Sequence, residues 1–135
     1  MATTTTISKW ELERQVVAAF EGKVLKVMLC TVGSSGYTVD STVSNWQSVE
    51  ASGNGYARFT ATIGIGSYSS TNGRYESPVI NAAFTASGGS ISYDRVVIYI
   101  NGQAYLHSLV VENPNIILTS GQTQTYAITL AQDDG

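Results

Sequence analysis

A chain of 135 residues, 43% apolar and 13% charged, is the length of one ordinary domain with enough apolar mass to fill a core, which excludes an intrinsically disordered chain. The formal net charge is −3 and Lys and Arg are scattered singly, so counterion-release binding to a phosphate backbone has nothing to work with and no nucleic-acid partner is expected. One cysteine excludes an intrachain disulfide and a Cys-based zinc site, and no apolar stretch approaches membrane-spanning length.

Residues 2–6 are a polar, threonine-rich lead without the basic and apolar regions of a secretory signal, so the protein is expected to be made in a cytoplasm and carried out, if at all, as part of something larger. Ser8 and Glu11 then form a capping box, with Ile7 and Leu12 at the spacing of a hydrophobic staple. Leu12, Val16, Ala19 and Phe20 fall on one stripe and Gly22 is a ready stop, which predicts an amphipathic helix over 9–21. Lys9, Glu13 and Arg14 read as its solvated edge. A helix this short is marginal alone, so its stripe must dock on its own β body or on another subunit.

Everything after Gly22 reads as strands and turns. The apolar run 24–32 suits a central strand with Cys30 as a buried, inert thiol. Residues 41–50 around Trp46 fit either one helical turn or an irregular loop. Further strands are predicted over 56–65, 79–85, 91–100, 105–111, 116–118 and 123–130. Between them stand a polar loop over 67–73 with an Asn72-Gly73 turn, Gly88-Gly89, the hairpin signal Asn101-Gly102, and a turn at Asn113-Pro114. The tail Asp133-Asp134-Gly135 reads as frayed. This pattern predicts a mainly β fold: a single antiparallel β-sandwich or jelly roll over 23–135, preceded by an N-terminal arm and helix over 1–22.

Chemistry has little to draw on. His107 is the single histidine, and a triad with Ser108 or a distant serine and Asp94 has no nucleophile-elbow motif behind it. The carboxylates Glu50, Glu76, Asp94 and Glu112 are spread over different segments, and Gly53-Asn54-Gly55 and Gly64-Ile65-Gly66 read as β turns or bulges rather than phosphate cradles. No catalytic, cofactor-binding or metal-binding residues are assigned, and an enzyme is not expected. Low charge has two level readings: a Thr- and Tyr-rich β protein, or a protein covered by neighbours on several sides. Trp10, Leu12, Val16, Phe20, Tyr68 and Tyr75 are the candidate interface residues, and Tyr68, Tyr75 or Trp46 the candidate stacking surface of a glycan-binding module.

The stretch Trp10-Glu11-Leu12-Glu13-Arg14-Gln15-Val16-Val17, running into Lys23-Val24-Leu25-Lys26-Val27-Met28-Leu29-Cys30, resembles the start of small virion proteins of tailed phages of cyanobacteria. Tyr75-Glu76-Ser77-Pro78-Val79-Ile80-Asn81-Ala82-Ala83-Phe84, Ile91-Ser92-Tyr93-Asp94-Arg95-Val96-Val97 and the ending Gly121-Gln122-Thr123-Gln124-Thr125-Tyr126 with Leu130-Ala131-Gln132-Asp133-Asp134 resemble them too. The likeness spans nearly the whole chain in texture rather than in a chemical motif. It implies a virion structural protein: a capsid cement or decoration protein, usually trimeric, contacting the major capsid protein or other virion proteins. Tail, neck and baseplate components are the alternative. The resemblance brings no catalytic residues with it.

Overall fold

A computed structural model describes residues 6–131; residues 2–5 of the threonine-rich lead and the tail Asp133-Asp134-Gly135 lie outside the described residues. The chain is mainly β with antiparallel sheets and a short N-terminal helix. In chain order come α1 (Lys9–Ala18), β1 (Val24–Cys30), α2 (Val43–Gln47), β2 (Phe59–Thr62), β3 (Ser67–Ser69) and β4 (Arg74–Glu76). After these come β5 (Ile80–Thr85), β6 (Ile91–Ile100), β7 (Ser108–Leu118) and β8 (Thr123–Ile128). The strands form a four-stranded sheet in the order β2-β1-β6-β7 and two ribbons, β3-β4 and β5-β8.

The run 24–32 reads as unbroken apolar sequence because β1 is covered on both faces. On one face Leu25, Val27 and Leu29 join Val96, Ile98 and Ile100 of β6, and the β5-β8 ribbon lays Ile80, Ala82, Phe84 and Ile128 over them. On the other face Met28, Cys30, Val97 and Tyr99 are covered by Val43 and Trp46 of α2. The period of two is therefore doubled in β1 and plain in β5, where buried and exposed residues alternate along the strand.

Three expectations about the strands are corrected. The strand expected over 56–65 shrinks to four residues, because Tyr56 and Arg58 are drawn into a network with Glu50: the Tyr56 hydroxyl donates to Glu50 at 2.6 Å and accepts from the Leu29 N–H at 3.2 Å. The polar loop over 67–73 contains β3 and the start of a hairpin, closed by a turn at residues 70–73. Asn113-Pro114 does not turn the chain away. β7 continues past it as one strand, but irregularly, with residues 112–115 set opposite Asp94 alone where the ladder to β6 slips. Proline is tolerated there because β7 is an edge strand and residues 112–115, in the slip, have no ladder partner on β6 to lose.

Candidate assembly surface

The start of α1 follows the expected cap in half. Ser8 Oγ accepts the Glu11 N–H at 3.2 Å. The Glu11 carboxylate does not reach back; it takes hydrogen bonds from Arg14 and Gln15, and the Arg14 bond holds its pKa down to about 2. The helix also ends at Ala18 rather than near 21, and the Gly22 N–H leaves it to bond Ile63 O at 2.9 Å.

The larger correction concerns which face α1 buries. Glu13 and Val17 are the buried residues, at 2% and 0% exposure, while Leu12 and Ala19 of the expected stripe are exposed. Trp10, Glu13 and Val17 follow i, i+3, i+7 spacing and face the β3-β4 hairpin. Glu13 Oε2 accepts the Tyr75 N–H at 2.9 Å, and its other oxygen has the Lys9 ammonium at 3.1 Å but no hydrogen bond of good geometry. Glu21 Oε1 accepts the Gly66 N–H at 2.9 Å. The Trp10 ring stands edge-on to Tyr75, centroids 5.9 Å apart.

The physical reason is the ribbon itself. Two strands leave half their backbone donors unpaired, and a buried donor without a partner costs about 1–3 kcal/mol. Two carboxylates, Glu13 on α1 and Glu21 in the turn after it, meet that demand, where leucines would not. Glycine at 66 permits the approach, since a Cβ there would stand 2.4 Å from Val17 Cγ1 and 2.9 Å from the Tyr75 ring.

Because the docked face is the other one, Leu12 and Ala19 of the expected stripe are left outward. Leu12 is 42% exposed, Val16 half-buried one turn on, and Ile7 and Trp10 are about half exposed at 49% and 48%. Tyr68 is exposed on β3, opposite Tyr75 in the ribbon. Tyr75, expected to be exposed, is half-buried and donates its hydroxyl to Gly66 O at 2.9 Å. Phe20 is half-buried against the main core and edge-on to His107 at 5.4 Å. The structure thus brings Trp10 and Tyr75 into contact and sets Phe20 apart.

Phe20 and His107 line a cleft of about 420 Å³ with Tyr105, Leu106, Ile100 and Lys23, and among the described residues no carboxylate lines it. His107 Nδ1 lies 3.2 Å from Ser108 Oγ. Ser108 pairs with Ile98, four residues along β6 from Asp94, so the triad's acid sits about 13 Å away along the strand. Asp94 instead accepts the Val32 N–H at 3.0 Å. Glu50 is held by Tyr56 and Arg58, Glu76 by Arg74 and Asn72, and Glu112 by the Tyr126 hydroxyl at 3.0 Å. Asp94 and Glu112 do share one polar groove at the β7 irregularity.

No family model, curated protein or solved structure matches the chain.

Trp46, a candidate glycan platform by sequence, is fully buried beneath α2, with Nε1 donating to Thr38 O at 3.0 Å. The undecided segment around it is the helix α2, capped by Thr42 Oγ1 accepting the Asn45 N–H at 3.1 Å. Cys30 lies in the same pocket, 3.5 Å from Trp46 O, and burial pushes its thiol up to about 12, the behaviour of an inert core cysteine. Glu13, Glu21 and Gly66 are the site residues that sequence reasoning passed over. Gly64-Ile65-Gly66 carried the one available signal, because glycine in a strand region marks a close backbone approach.

Proposed function

We propose that the chain is a virion structural protein of a tailed bacteriophage, a capsid cement or decoration protein that stabilises the head shell through oligomeric contacts, as a homotrimer on the capsid surface. In this reading the β5-β8 ribbon and the four-stranded sheet are the two layers of a β-sandwich, of jelly-roll type, and the protein is not an enzyme. The observation that carries the proposal is the apolar flank of α1: the helix is already seated by Glu13, Val17 and the Trp10–Tyr75 contact, yet Leu12 faces outward with Ile7 exposed ahead of it and Val16 only half-buried. An apolar flank on a docked helix has no work left inside its own chain, and repeated contacts with sister subunits or the major capsid protein would cover it. The exposed Tyr68 of β3 extends the same side, and low charge suits a surface enclosed by neighbours. Neither nucleic acid nor membrane is a partner in this reading.

The test mixes purified protein with undecorated heads and images the particles. Occupancy of discrete lattice sites, with trimers at local threefold positions, is expected; empty heads overturn the proposal. Occupancy confined to the tail, neck or baseplate moves the same physics to another symmetry. Light scattering that finds a compact monomer with no self-association counts against it independently.

A further inference from the structure

A groove of about 470 Å³ opens on the outer face of the four-stranded sheet, between the sheet, α2 and the turn that follows β6. It is separate from the assembly surface. Lys26 of β1 and Tyr99 of β6 stand opposite each other in the ladder, and both line it. They share the sheet face that carries Met28, Cys30 and Val97; α2 packs over these and the Tyr99 ring, while Lys26 stands half-buried beside it.

Both residues hold donors that nothing among the described residues receives. Tyr99 is 3% exposed, and its oxygen accepts from Arg58 Nη1 at 2.9 Å. A phenol has one proton of its own to give, and no acceptor for it exists among the described residues. Arg58 is not a free cation: its Nε and Nη2 are spent on Glu50 at 3.0 and 2.6 Å. Its part is to hold the Tyr99 oxygen in place. Lys26 is half-buried, and its ammonium has no ion pair or hydrogen bond among the described residues. A lysine on a central strand gives up packing, and this chain has few charges to place, seven Lys and Arg in all.

Among the described residues no carboxylate lines the groove, so two adjacent donors face a space where an acceptor is missing. Around them the side-chain amides of Gln47, Asn101 and Gln103 have no hydrogen-bond partner among the described residues, and each can both donate and accept. An oxyanion satisfies the centre, and hydroxyl groups satisfy the rim. We propose that this groove binds an acidic saccharide, with Lys26 and Tyr99 seating its carboxylate and the three amides taking its hydroxyls. The volume lies within the range of small-ligand sites. This inference does not depend on the assembly reading, and either can fail without the other.

The full chain, labelled with ¹⁵N, is titrated with glucuronate, glucose and inorganic phosphate. Glucuronate is expected to shift the amide signals of residues 26, 99 and 101–103, with glucose at least about tenfold weaker for want of the charge. Lys26→Met, which keeps the apolar stem, weakens glucuronate by about tenfold or more with unfolding temperature unchanged. Gln103→Ala, at an exposed loop position, weakens it by about threefold and keeps the test open should the strand variant fail to fold. The proposal is overturned if none of the probes shifts those signals, or if Lys26→Met binds like the native chain. Phosphate binding as tightly as glucuronate would overturn the saccharide assignment and leave an anion seat only.

Discussion

The two helices of this protein begin alike and end up held in opposite ways. Each is capped by a hydroxyl that accepts an N–H three residues on, Ser8 for α1 and Thr42 for α2. The ten-residue α1 buries one carboxylate and one valine, whereas the five-residue α2 buries Val43 and the whole of Trp46. The difference lies in what each helix meets. α2 meets an apolar sheet face of Met28, Cys30, Val97 and Tyr99, so an indole is the best plug. α1 meets a two-stranded ribbon with an unpaired Tyr75 N–H, so a carboxylate is. Helix length and apolar content say how much a helix can bury. The partner surface decides which side it buries.

That contrast can be broken at its strongest point first. Trp46→Ala removes a fully buried indole and its bond to Thr38 O, and should cost about 3–5 kcal/mol in denaturant unfolding. A loss below about 1 kcal/mol would mean α2 is not seated as described. The same variant should expose Cys30. In the native chain at pH 8 the thiol, raised to about 12 by burial, is neutral and should not react with a disulfide reagent until the protein unfolds; in Trp46→Ala it should react natively.

Next comes the polar anchor. Glu13→Ala leaves the Tyr75 N–H without an acceptor and should cost about 1–3 kcal/mol, with faster amide exchange at Tyr75. Glu13→Gln keeps an acceptor and should cost less. Equal losses for the two would show that charge, through Lys9, rather than the N–H bond holds the helix. The smallest effect is expected on the outward flank. Leu12→Ser should change monomer stability by no more than about 0.5 kcal/mol. Its consequence should be weaker self-association by sedimentation or light scattering, and a clear loss of stability would place Leu12 inside after all.

Much of the β body was legible. The strand over 91–100 matches β6 end to end, the strand over 79–85 matches β5 but for its first residue, and Ser8 caps the helix where its spacing said it would. These are local matters: period two, glycine turns and a hydroxyl before a helix act within a few residues. Misreadings gathered where distant segments compete for a residue. Tyr56 left its strand for Glu50 and Leu29, Pro114 passed unnoticed through an edge, and Trp46 went inward rather than toward a ligand. Of the candidate surface, Leu12, Trp10 and Tyr68 are exposed as an interface would need, while Tyr75 became the seat of α1.

By itself the sequence determined that the chain would be mostly strands with one capped helix in front, because hydrophobic period and turn chemistry are written residue by residue. It also determined that α1 has an apolar stripe. Tertiary structure alone decided that Leu12 faces outward, because a backbone N–H in need of an acceptor outweighs the attraction of a leucine for a neighbour, and no one-dimensional pattern records where such an N–H will stand. It decided likewise that Lys26 and Tyr99, seventy-three residues apart, meet across a ladder with donors to spare.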